Sequence, residues 1–398
     1  MLKRFIGKQR AMTAAVILGL GTIGITGKAL ADSGHSAPQG GAWTIENGEF
    51  KVAPRVDDHA PIGVMGEHRH KPGQVMLSYR FMRMWMEDSL IGENEVDPAG
   101  IAANVPNIFF GNAPFPTGVV PNLRIVPINM MMDMHMFGAM YGLTDRITLM
   151  GMLPYVEKSM EHLTFLGPRG TALRGAFTTK SEGIGDISGT ASIGLIEREA
   201  PDAELHVDLM LGLSAPTGST SKSDEVLTPI GTRPTTRLPY PMQIGSGTWD
   251  FLPGVLYTQR EGDFSWGAQW RGTIRLENSN DDGYSLGDKH MGTAWAAYRW
   301  TPWISSSLRV MAQTMDKIDG FDPLIVAPVQ TANPNFQGGE RVDLLLGVNL
   351  IAREDAGHLC GHRLALEAGA PVYQDLNGPQ LATDWTFTVG WQKTFGDC

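Results

Sequence analysis

The sequence predicts an all-β fold, a transmembrane antiparallel β-barrel of about 12 strands. Three observations predict it. From Gly73 onward, apolar and polar residues alternate with a period of two, in runs of roughly ten residues, the length that crosses a bilayer at a tilt. The connections between these runs are short and long in turn, as a barrel inserted from one side requires. An export signal precedes the first run.

In chain order, the signal comes first. Lys3, Arg4, Lys8 and Arg10 lead an apolar run over 11–27, and Ala29-Leu30-Ala31 offers small residues for cleavage after Ala31, so 1–31 reads as a signal peptide. Within it Gly19-Leu20-Gly21-Thr22-Ile23-Gly24 matches the dinucleotide-binding spacing, but no strand precedes it, so it is read as leader sequence. Residues 32–73 are polar, with Pro38, Pro54, Pro61, Pro72 and four histidines, and read as a periplasmic segment or a plug.

Residues 74–398 read as the barrel. On the first strand Val75, Leu77, Tyr79, Phe81 and Trp85 share one face, interrupted by Arg83, while Met76, Ser78, Arg80, Met82, Met84 and Met86 share the other. The same pattern predicts strands over 128–141, 146–155, 185–195, 204–215, 248–258, 264–276, 290–300, 303–315, 340–352, 362–371 and 384–395. Pro253 calls for a bulge or a local break. Short connections fall at 142–145, 260–263 and 301–302, and long ones at 87–127, 157–184, 216–247 and 316–339. A soluble β-sandwich shares the strand period but needs neither this alternation of loops nor outward Trp249, Tyr257, Trp266, Trp385 and Trp391. An even strand number puts both ends of the barrel in the periplasm.

Composition excludes other classes. Beyond the N-terminus no stretch of roughly 18 apolar residues exists, which excludes a bundle of membrane helices. A net charge of -10 argues against a nucleic-acid partner. No GxSxG, HExxH or CxxC motif appears, and His206 with Ser188 or Ser192 is the one Ser/His pairing that can be constructed, so no enzyme is expected.

Six stretches resemble a bacterial family of outer-membrane transporters related to the phenol-degradation meta-pathway (MetA-pathway) proteins. They are HAPIGVMGEHRH from His59, LSYRFMRM from Leu77, MMMDMHMFGAMYGLTDRITLMGMLPY from Met130, RLPYPMQIGSGTWDFLPG from Arg237, GGERVDLLLGVN from Gly338 and LALEAGAPVYQDLNGPQL from Leu364. The resemblance implies passage of a small molecule and names no substrate. At His68-Arg69-His70 the chain carries arginine where the resemblance leads one to expect methionine.

Two constellations are candidates for chemistry. The inward, lumenal polar residues are read as Arg80, Asp133, Asp186, Asp208, Asp250, Arg271, Arg275, Arg309, Arg341, Asp343 and Glu367, either cross-braces of a closed barrel or the lining of a solute path. Methionine and histidine cluster unusually, with 21 Met and 10 His. On the second strand Met130, Met132, Met134 and Met136 are expected to face lipid. Lumenal Met82, Met84, Met131, His135, Met150 and Met152, closed by His68 and His70, form a candidate soft-metal set suited to copper or silver; the alternative is that methionine is flexible apolar filler.

Three function classes therefore stand: a channel or transporter for small molecules, aromatic or hydrophobic ones among them, a soft-metal-binding or soft-metal-transporting outer-membrane protein, and a structural barrel without transport. Expected partners are outer-membrane lipid, the barrel-assembly machinery and an unidentified small solute, with the barrel a monomer. Cys360 and Cys398 start and finish an antiparallel hairpin turning near Leu376-Asn377-Gly378-Pro379, so a disulfide at the periplasmic rim is expected.

Overall fold

Alternation closes the chain into a ring. The computed structural model describes residues 43–46, 49–52, 56, 59–111, 119–200, 203–352 and 358–395. The signal peptide, Asp57, Asp58 and Cys398 lie outside the described residues. Met1–Val52 and Ala53–Cys398 form separate units. The first contains a hairpin of Trp43–Glu46 with Glu49–Val52.

The barrel strands are β1 (Val75–Gly92), β2 (Ile125–Thr144), β3 (Ile147–Phe165), β4 (Leu173–Ile184), β5 (Ile187–Ala200) and β6 (Ala203–Ala215). They continue as β7 (Asp250–Glu261), β8 (Phe264–Arg275), β9 (Lys289–Thr301), β10 (Ile304–Met315), β11 (Gly339–Ile351) and β12 (His362–Phe395). All neighbours pair antiparallel, and β12 pairs with β1 to close the ring.

Two irregularities set the number of crossings. β4 and β5 run in the same direction along β3, β4 beside its second half and β5 beside its first, so together they make one crossing with a break at Gly185-Asp186. β12 does the opposite: Arg363 to Leu376 runs along β11, and Gln380 to Phe395 returns along β1. Gln374 and Thr383 bond to each other across this fold-back. The ring of eleven paired strands thus crosses twelve times, and both ends of the wall lie on the side of the short turns.

The wall is inside-out by the standard of a water-soluble protein. On β10, Leu308 and Val310 are 48% and 44% exposed, whereas Ser307 and Arg309 between and beside them are 6% and 4% exposed. Exposed apolar residues on a closed ring need a lipid solvent, and polar residues on the inner face need the lumen.

One expectation is corrected here and one is met. The stretch 157–184 is not a loop, because β3 continues to Phe165 and pairs with β4. Its outward residues include Glu157, Ser159, Glu161, Lys180 and Glu182, so the apolar stripe that marks a strand in sequence is missing, although the backbone ladder holds. Pro253 is accommodated by a local break: the ladder to β8 has no rungs at Leu252 and Pro253, without a register shift. Gly272 lies across from Pro253, and a Cβ there would stand 3.1 Å from the proline ring.

On the other side of the wall the long loops pack together. Phe109, Leu227, Tyr240, Tyr284, Ile325 and Val329 share one buried cluster. Arg237 binds Asp282 and Asp322, both at 2.6 Å, and so ties three loops to one another. Loop 216–249 also dips inward, where Leu238 and Met242 pack against Met130 and Met160.

Candidate functional site

A segment that touches strands all round a ring can only lie within it. The carbonyl of His59 accepts from Asn349, that of Ala60 from Arg363, that of Val64 from Arg80 and that of Met65 from Gln269. Arg69 binds Asp208 at 2.9 Å, and the amide of His70 donates to Thr148 at 2.8 Å. These contacts reach β1, β3, β6, β8, β11 and β12, so 59–73 threads the lumen before the chain enters β1. At the short-turn end the Gly73 amide donates to the Gly142 carbonyl near the end of β2, and the Gly142 amide donates to the carbonyl of Gln74 just before β1. A Cβ on Gly142 would lie 2.0 Å from the Lys71 carbonyl, which makes glycine a condition of this close approach.

The segment carries a compact polar group. His59 Nδ1 lies 3.2 Å and His68 Nδ1 3.5 Å from Glu67 Oε1, and Arg363 donates to the same oxygen. Burial opposes the Glu67 anion, but Arg363 and the two histidines outweigh it and hold the carboxyl well below its ordinary range. Burial, followed by the Arg363 charge, lowers His59 to about 4, which leaves it neutral at pH 7.

Above the segment, the inner wall of β1–β3 is methionine. Met65 of the segment, Met76 and Arg80 of β1, Met136 and Met140 of β2, and Met150 and Met152 of β3 line one cavity. Directly opposed residues share a face, so the pairs Met82 with Met134, Met84 with Met132 and Met86 with Met130 extend this lining towards the cap. Thr383 on the inner face of β12 donates to Met84 Sδ at 3.8 Å.

The faces of β2 are therefore the reverse of those expected. Met130, Met132, Met134 and Met136 point inward, while Met131, Asp133 and His135 point outward. His135 accepts or donates a 2.8 Å bond with Tyr79 and packs beside Phe81 and Tyr155. Asp133 binds Arg83, and the register places Arg83, Asp133, Glu157 and Glu182 in one row across four strands. Below this row the outward residues are Leu77, Phe137, Leu149, Leu153 and Ile187; above it, beyond Trp85 and Met131, come Glu87, Asn129, Ser159, Glu161 and Lys180. The row marks the edge of the apolar belt, so an outward charge there meets water instead of lipid. The set Met82, Met84, Met131, His135, Met150 and Met152 accordingly does not converge, because β2 contributes its two members to the outer face.

The opposite wall is charged. Arg309 pairs with Glu367, Arg341 with Asp343 at 3.0 Å, Arg275 with Asp250, and Arg363 with Glu67. Arg80, Asp208 and Arg271 also lie inside. Asp186, at the break between β4 and β5, accepts from Gly218 and Ser246 and anchors loop 216–249. His206 pairs across from Glu197, whereas Ser192 is opposite Met210, four rungs away, or about 13 Å. Ser188, opposite Ser214, is farther still. Cys360 is buried and is not a free thiol, and its expected partner Cys398 is outside the described residues.

His59, Glu67, Met65 and Arg363 were not singled out from the sequence. The HAPIGVMGEHRH stretch was the available signal, but a segment without period gives no indication of which residues meet.

No curated protein matches the chain. Among solved structures, an outer membrane channel from Pseudomonas putida F1 superposes with a TM-score of 0.52 at 12% identity, covering 83% of this chain and 99% of that one. The Ralstonia pickettii toluene transporter TbuX gives a TM-score of 0.39 at 10% identity, covering 82% and 90%. The first likeness establishes the barrel fold alone. At the level of sequence, residues 131–321, which run from the methionine strand β2 into the capping loops, match the model of the family described as "Putative MetA-pathway of phenol degradation".

Proposed function

We propose that the protein is a monomeric outer-membrane channel for small hydrophobic molecules, aromatic ones among them. The observation that carries this reading is the methionine lining of β1–β3, which runs from Met76 near the short-turn end to Met86 beneath the cap. Thioethers are apolar, polarisable and flexible, and they make favourable contacts with aromatic rings of varied shape. A path for ions or sugars would need water and hydrogen-bonding groups along that wall. The outward apolar belt supports the membrane setting, and the family description supports an aromatic solute.

The interior segment and the loop cap give this channel closed ends. Passage then requires the cap to part and 59–73 to yield, and the chain makes or breaks no covalent bond of its solute. The barrel-assembly machinery inserts it, with Trp385, Phe387, Val389, Trp391 and Phe395 as the alternating final strand.

Uptake of a labelled monoaromatic compound by cells that produce or lack the protein tests the reading. Uptake should rise with the protein and return to background when Met84 and Met132 are both replaced by aspartate. Equal uptake in producing and non-producing cells would overturn it. In planar bilayers the intact chain should show no steady ion conductance, and deletion of 59–73 should open one.

A further inference from the structure

The channel reading leaves unused the polar group at the short-turn end of the lumen. His59, Glu67 and His68 each bring one ligand atom to within 4.8 Å of the others. The His68 ring stands edge-on to those of His59 and His70, with centroids 4.9 and 4.7 Å away. Three imidazoles and a carboxylate gathered from one short segment are a ligand set of the kind that holds zinc or copper(II).

The hydrogen bonds point to an occupant. Glu67 Oε1 is held by Arg363 and His59, but Oε2, though buried, has no partner among the described residues. The same holds for His70 Nε2, and among these residues His68 Nδ1, 3.5 Å from Glu67 Oε1, makes no hydrogen bond. Glu67 is 4% and His70 3% exposed, so water does not satisfy these atoms freely. The other nitrogen of His70, Nδ1, lies 2.8 Å from Gln74 Oε1. An amide oxygen only accepts, so Nδ1 carries the proton and Nε2 presents a lone pair. Arg363 is fixed in turn by Asn349 and Gln392, and it orients the carboxylate from behind while its second oxygen stays available.

We propose that His59, Glu67 and His68 bind one divalent transition-metal ion, zinc or copper(II), with the unpartnered Nε2 of His70 beside the group. The absence of any thioether from this group separates it from a cuprous site, and its imidazole content separates it from calcium or magnesium. The ion joins His59 to residues 67–70 and thereby clips the interior segment into a closed loop. Arg363 acts on the metal only through Glu67 and is a positioning residue.

Chelator-stripped, folded full-length protein in detergent is titrated with cobalt(II), read by its visible absorption, and then with zinc(II) in competition. One equivalent per chain is expected. His59→Ala and His68→Ala should each weaken binding by at least about tenfold, the scale on which even outer-shell changes act. His68→Gln, which keeps a polar side chain, replaces the alanine variant if that one does not fold. His135→Ala and His206→Ala, outside the group, should bind as the parent does. Folded parent that takes up no stoichiometric metal, or binding unchanged in a His59→Ala/His68→Ala double variant, would overturn the proposal. Neither result bears on solute uptake, so the site and the channel stand or fall separately.

Discussion

The two halves of the inner wall hold the same segment by different physics. Across β1–β3 the lumen is lined by methionines, which offer contact without fixed geometry. Across β10–β12 it is lined by Arg309 with Glu367, Arg341 with Asp343, and Arg363 with Glu67, which offer direction and penalise displacement. The comparison teaches that Arg363 supplies the ionic anchor of 59–73, through Glu67 and the Ala60 carbonyl, while the methionine side holds the segment at Arg80 and Thr148 and leaves its thioethers free to accept a solute. Cross-braces and solute path, alternatives when read from sequence, occupy different stretches of one lumen.

The largest expected effect comes from breaking the anchor. Arg363 and Glu67 are both buried, and removing one partner of a buried pair costs about 3–5 kcal/mol because the other charge is left uncompensated. Arg363→Ala should therefore release the segment, seen as new protease cleavage between residues 59 and 73 in an otherwise folded barrel. Full protection in that variant would show that the charged half is not the anchor. Glu67→Gln combined with Arg363→Met should recover part of the loss, since an uncharged pair leaves no orphan.

A somewhat smaller effect should follow from opening the rim below β12. The bridge expected between Cys360 and Cys398 would contribute on the order of 3 kcal/mol, so Cys360→Ser should lower the unfolding temperature measurably. Two free thiols by mass spectrometry of non-reduced protein would remove this reinforcement from the charged half.

Replacing inner methionines should cost less stability and more transport. Met134→Leu conserves volume and is expected to change stability by less than about 1.5 kcal/mol, with uptake retained. Loss of folding in that variant would mean that the methionine half is packed as tightly as its opposite. The smallest effect belongs to the outer row. Arg83 is 39% exposed, and Arg83→Ala should cost no more than about 1 kcal/mol by thermal unfolding. A cost of several kcal/mol would place that pair in lipid and lower the edge of the apolar belt.

Much of the barrel was legible from sequence because it needs little information. Two environments on either side of a pleated backbone impose a period of two, and crossing length and loop alternation follow from the bilayer. Arg80, Arg309 and Glu367 could be assigned inward because polar residues inside an apolar wall have few other places to be. From the charged row upward that logic fails, since outward Glu157, Ser159, Glu161, Lys180 and Glu182 remove the apolar face from the pattern, and 157–184 therefore reads as a loop.

The sequence by itself determined the all-β architecture, about a dozen crossings and inward charges such as Arg309 and Glu367. Only the tertiary structure decided which face of β2 looks inward, because alternation defines two faces and pairing with β1 and β3 selects between them. Asp133 and His135 suggested the wrong one, since polar residues count as lumenal until Arg83 and Tyr79 are found beside them on the outside. It also decided that His59 meets Glu67 and His68. A segment without regular structure has no period from which contacts can be read, and its conformation is imposed by the walls of the barrel around it.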